Sequence, residues 1–282
     1  MQDCRPKSTP ADRGTRLIHN TAPTKESSNQ ELFPYQEAVG SLQYCIITTR
    51  PDISCAVGQV AQFSNNPGKA QCEAVKRILA YLKGTVTHGI CFKGAKINGT
   101  CFSKMLSAFS DARFDFETLN NSFLLTLNSG PVAWGSNKQT AVVLSTTEAD
   151  YMVACLTAKD IVWLRNLLNE ISVQKQSPTD LHCDFQSVIR LVFNPEYHKR
   201  TKHIDVQHHF VREKQADGSI DMQYIPTEQQ LADLFTKPLH GPWFEKLRQE
   251  FGIVLFLALR HILYVRTSQK FVNVGCLFQR IN

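Results

Sequence analysis

From about residue 88 the hydrophobic period of this chain changes in an order that few folds accept. Gly89–Lys93, Leu106–Ser110, Phe123–Leu127 and Val132–Trp134 are short apolar or alternating runs, as half-buried strands require. Asn128-Ser129-Gly130-Pro131 is a hairpin turn between two of them. A long helical pattern follows from Ser145 to about Ile171, with Trp163, Leu164, Leu167, Leu168 and Ile171 on its buried side. Thr179–Cys183 reads as a strand and leads into a helix carrying Val188, Leu191 and Val192. A basic loop and helix (Tyr197–Lys214), a strand (Asp221–Ile225) and a helix from about Glu228 complete the pattern. Strands in a run, then helix and strand in alternation, predict an α/β fold whose mixed β-sheet is flanked by helices.

The segment before this is built differently. Ala38, Leu42, Cys45 and Ile46 share one helical face, and Ile53, Val57, Val60, Ala61 and Phe63 suggest a second helix after the Arg50-Pro51-Asp52 break. Ala74, Ile78, Leu79 and Leu82 form a third stripe that ends at Gly84. Residues 1–32 are polar, charged and without period, and read as a linker. The tail after Gly252 finds no partner in this scheme.

Composition narrows the function classes. A net charge of +6 suits an anionic partner such as nucleic acid without identifying one. The nine cysteines stand singly with no C-x-x-C pair, which argues against a disulfide framework or a zinc site. Met1–Thr24 has no apolar core, and the apolar run Ile253–Leu259 is too short to span a bilayer. The expectation is an intracellular protein, cytoplasmic or nuclear, not secreted and with no membrane partner.

Four acids carry the chemistry. Asp111 and Asp184 end strand-like runs, and Glu148 and Asp233 lie on helix-like segments. Carboxylates gathered from such elements repel one another unless divalent cations neutralise them, and hard ions such as magnesium prefer carboxylate oxygen. Two magnesium ions (manganese is possible) can activate water and stabilise a leaving oxygen in phosphodiester hydrolysis. Three of the acids also have a plainer reading, whereas Asp233, among Leu231, Ala232, Leu234 and Phe235, has no cap role to explain it. Ser145-Thr146-Thr147-Glu148 is a capping box, Asp184 can cap the helix beginning at Phe185, and Asp111 can form a turn.

The densest basic segment is Tyr197-His198-Lys199-Arg200-Thr201-Lys202-His203. His198, Lys199, Arg200, Lys202 and His203 are the candidate nucleic-acid contacts, with a solvated loop as the alternative. His203, His208 and His209 lack the spacing of a helical zinc pair.

Several stretches carry a resemblance: Tyr35 to Leu42, Thr49-Arg50-Pro51-Asp52-Ile53, Tyr81-Leu82-Lys83-Gly84-Thr85, Leu144 to Tyr151, Arg200 to Asp205, and Leu231 to Leu239. In combination they resemble the C-terminal part of the Pol polyprotein of copia-type LTR retrotransposons, over roughly residues 1–251. The resemblance implies that residues 33–95 are the helical end of a reverse transcriptase and 104–240 an RNase H-like domain. A C-terminal helix and an unmatched tail follow over 241–282. It further implies that the domain cuts the RNA strand of an RNA–DNA hybrid, and that Asp111, Glu148, Asp184 and Asp233 occupy the four magnesium-binding places. Asp111 and Asp184 would share the ions, with Glu148 and Asp233 each holding one side. The polymerase palm has no counterpart here, so polymerisation is not expected, and the remaining Pol segments are implied partners. Arg113, two residues beyond Asp111 on the same strand face, and a shortened hairpin depart from the family pattern. They favour the alternative of an inactive relic that at most binds nucleic acid.

Overall fold

A computed structural model describes residues 4–15, 17–18, 33–92, 106–115, 118–139, 145–171, 177–193 and 205–255, and divides the chain into two compact units. The first is mainly helical: α1 (Tyr35–Thr48), a 3-10 turn (Pro51–Ile53), α2 (Ser54–Ala61) and α3 (Lys69–Gly84). Their apolar stripes meet at Leu42, Ile53, Val57, Val60, Val75, Ile78 and Leu82, all buried. The motif residues of this unit build a polar knot inside that core. Arg50 donates from Nε and Nη2 to the Asp52 carboxylate at 2.9 and 2.8 Å, and to Thr85 O and Oγ1 at 3.1 and 2.7 Å. Tyr81 donates its hydroxyl to the same carboxylate.

Two expectations change here. Residues 1–32 are not linker throughout: Lys7 N donates to Ala80 O, Lys83 Nζ to Cys4 O, and Arg77 to the Thr9 hydroxyl. The backbone and the basic side chains of α3 thus hold Cys4, Lys7 and Thr9, which the lack of period could not reveal. The tail after Gly252 also finds a partner. Its start, β7 (Ile253–Leu255), pairs antiparallel with β1 (His88–Ile90).

The second unit holds a five-stranded sheet in the order β4-β3-β2-β5-β6. Its strands are β2 (Leu106–Asp115), β3 (Thr118–Leu127), β4 (Gly130–Gln139), β5 (Thr179–Cys183) and β6 (Ile220–Tyr224). β2, β3 and β4 form an antiparallel meander, and β5 and β6 add in parallel on the β2 side. This is the mixed sheet that the order of sequence periods predicts. Asn128 and Ser129, both at positive φ, make the two-residue turn, so Gly130 and Pro131 belong to β4. Register shifts beside Pro131, where a proline can sit without breaking a ladder.

Helices α4 (Thr146–Glu170), α5 (Gln186–Phe193) and α6 (Asp205–Ala216) share one core with the sheet. Leu106, Ala108, Leu125, Leu181 and Met222 of the strands lie with Ala154, Ala158, Ile161, Val188 and Val211 of the helices. The second half of α4 corrects its predicted face. Leu164 and Leu168 are buried, whereas Trp163, Leu167 and Ile171 are exposed. The opposite sheet face meets α7 (Asp233–Thr236), and α8 (Gly241–Glu250) follows it. The helix expected from about Glu228 is therefore a 3-10 turn (Thr227–Gln229), the short α7 and then α8. Among the described residues, no helix is long and apolar enough to cross a membrane.

Candidate active site

β2 pairs with β5 only through Ser107, Ala108 and Phe109, then continues alone with β3. Asp111 therefore sits within a strand, opposite Ser122, and not at a strand end as expected. Polar residues keep the β2–β3 ladder going after the apolar run stops, so apolarity marks the strand's end too early. Asp184 is the residue immediately after β5. Asp111 thus lies two residues past the last β2–β5 pair and Asp184 one residue past β5, so both sit at the carboxyl edge of that parallel pair, the usual place for a site in such a sheet.

Asp233 comes from the opposite face. Ser122 Oγ donates to Ala232 O at 3.0 Å, Ser136 Oγ to Phe235 O at 2.7 Å, and Gln230 Nε2 to Ser110 O at 3.0 Å. These bonds fix the four-residue α7 against β2, β3 and β4. Thr236, on the same turn, donates its hydroxyl to Asp111 Oδ2 at 2.6 Å. Asp184 Oδ2 accepts from the Thr227 hydroxyl at 2.9 Å.

The fourth acid of this group is Asp150. Its Oδ1 accepts from the amide of Ala112, the neighbour of Asp111, at 3.0 Å. Burial pushes its carboxyl up to about 8, helped by the charges of Asp111 and Asp184. Glu148 is also buried, at the same helix start, with its amide donating to Ser145 Oγ as a capped helix requires. Glu148 lies three positions before Tyr151 and seven before Cys155, both buried in the core that α4 shares with the sheet. The structure brings together Asp111, Asp184 and Asp233 of the predicted quartet, and Asp150 joins them from α4. A signal for Asp150 existed in the sequence. It lies four positions before Ala154 and eight before Ala158, on the stripe that faces the core.

Electrostatics bind the group. Burial raises Asp111, the Thr236 hydroxyl draws it back, and the charge of Asp184 raises it again. Burial and then the charge of Asp111 push Asp233 up to about 7. At an effective dielectric of about 20, two carboxylates about 4 Å apart repel by roughly 4 kcal/mol. Both Asp233 oxygens are buried without a well-directed hydrogen bond, although Lys237 Nζ stands 2.7 Å from Oδ2 as an ion pair. The cation acting on Asp111 is likewise Lys237. As arranged, no three His, Cys, Asp or Glu side chains among the described residues close on one ion. Thr236 and Lys237 take up the Asp111 and Asp233 oxygens instead.

Comparison with known proteins decides the family. The chain is 39% identical over 259 residues to the retrovirus-related Pol polyprotein from transposon TNT 1-94 of Nicotiana tabacum, covering 90% of this chain. It is 38% identical over 223 residues to that from transposon RE1 of Arabidopsis thaliana, covering 78% of this chain. The chain belongs to the retrovirus-related Pol polyproteins of transposons. It spans 19% and 15% of the length of those two Pol relatives. No protein-family model matches the chain. Among solved structures, LC11-RNase H1 in complex with an RNA/DNA hybrid is similar at a TM-score of 0.36 and 12% identity, covering 46% of this chain and 91% of that one. The basic segment His198, Lys199, Arg200, Lys202 and His203 lies outside the described residues of this Pol fragment.

Proposed function

We propose that the second unit is an RNase H-like nuclease domain that hydrolyses the RNA strand of RNA–DNA hybrids with two magnesium or manganese ions. One observation carries the reading. Acids from four separate places, Asp111 in β2, Asp150 in α4, Asp184 just after β5 and Asp233 in α7, are buried or half-buried and close enough that the charges of Asp111 and Asp184 bear on Asp150 and Asp233. Asp233 is buried with the Lys237 ammonium as the cation beside its Oδ2, and a donor set made entirely of carboxylate oxygens suits a hard divalent ion. Asp111, Asp150, Asp184 and Asp233 would hold the ions, with Glu148 as a further carboxylate at the start of α4. Bound there, the ions would make water a nucleophile near neutral pH and offset charge on the leaving oxygen.

The protein's own residues supply position. Thr236 and Thr227 fix the carboxylates of Asp111 and Asp184, and the Ala112 amide fixes Asp150. A net charge of +6 favours the anionic substrate, with the His198–His203 segment as the proposed contact and the remaining Pol segments as partners. The test is cleavage of a labelled RNA–DNA hybrid in magnesium, against D184N and D150N controls. Product from the wild-type chain alone supports the proposal, and cleavage equal to D184N defeats it.

A second reading keeps its own observation. The four acids do not close on an ion as they stand, which suits an inactive relic that binds nucleic acid at most. Hybrid binding without cleavage, and without magnesium-dependent stabilisation, is the result that would favour it.

A further inference from the structure

Lys237 ends the α7 turn and reaches back four positions to Asp233, its Nζ 2.7 Å from Oδ2. The two sides of this pair differ in burial. The Asp233 side chain is wholly enclosed, while the lysine side chain keeps 30% of its exposure. The same ammonium lies 5.6 Å from the centre of the Trp243 ring. One cation is therefore held between an enclosed carboxylate and an aromatic face, with a path to solvent.

We infer that Lys237 is a built-in counter-cation of the acidic site, holding one ion's place until a divalent ion displaces it. The inference rests on the metal reading of the site given above. Acids drawn from β2, α4, the end of β5 and α7 cannot stay charged together without positive charge, and Lys237 supplies it to Asp233 in the absence of metal. Magnesium binds carboxylate oxygen at about 2.0–2.1 Å and repels a neighbouring ammonium, so ion and lysine cannot share Asp233 Oδ2. Ion entry is thus an exchange. The lysine withdraws towards solvent along the Trp243 face, which can hold a partly hydrated cation. The site stays folded without metal, and the free lysine sets how much divalent ion is needed to fill it.

The experiment is thermal melting of wild-type chain, K237M and K237R, in EDTA and across a magnesium series. In EDTA, K237M melts below the wild type and K237R matches it. With magnesium, the half-saturating concentration for K237M falls about tenfold, because the ion no longer competes with an ammonium. If K237M folds only once magnesium is supplied, the same conclusion follows in stronger form. Equal half-saturating concentrations for K237M and wild type overturn the inference and leave the metal site standing. No magnesium response in either chain overturns the site reading and this inference with it.

Discussion

Asp150 and Glu148 stand two positions apart at one helix start, and both are buried. Asp150 meets the Ala112 amide and the charges of Asp111 and Asp184. Glu148 occupies the third helical position behind the Ser145 cap. We expect D150N to lower hybrid cleavage by at least about 100-fold, the upper range for losing even a supporting group around a metal. E148Q should retain most of that rate in the same assay. The Arg50–Asp52 pair is a residue-scale feature of another kind. It is buried on both sides, so R50M leaves Asp52 charged without its partner and should cost about 3–5 kcal/mol in denaturant unfolding. Asp111 and Asp184 were legible as acids that follow short apolar strand-like runs, and Asp233 as an acid set among Leu231, Ala232, Leu234 and Phe235, where no cap role explains it. Asp150 was hidden because the capping box around Glu148 already accounted for the local pattern, and only the spacing to Ala154 and Ala158 pointed inward.

The short elements decide where the acids go. α7 has four residues, too few to be stable alone, and depends on the bonds from Ser122, Ser136 and Gln230. S136A leaves Phe235 O without that donor and should cost about 1–3 kcal/mol, read as a lower unfolding midpoint at unchanged m-value. The positions of β2 to β6 along the chain followed from periodicity, since apolar alternation marks half-buried strands wherever the core covers them. Strand ends did not follow, because beyond Phe109 the β2–β3 ladder pairs Asp111 with Ser122, Ala112 with Asn121 and Arg113 with Asn120. β7 was equally hidden. Three residues carry too little pattern to name a partner as distant in sequence as β1.

At the scale of the molecule, the acidic group makes stability depend on protons and metal together. With Asp150 raised to about 8 and Asp233 to about 7, the folded chain holds protons that the unfolded chain has released above about pH 4. Metal-free stability contributed by these groups is therefore lost as pH rises towards about 8. Burial lowers His182 from its ordinary 6.5, which costs stability on the acid side, so the fall is cleanest above that value. Melting in EDTA from pH 6.5 to 8.5 should show a declining midpoint, and saturating magnesium should flatten it by taking the protons' place.

The most direct test of the central claim is calorimetric titration of magnesium into the purified chain near pH 8. The account predicts saturable binding that D111N, D150N, D184N and D233N each weaken, while E148Q binds much as the wild type does. Binding that is absent at millimolar magnesium, or unchanged in all four asparagine variants, would contradict it.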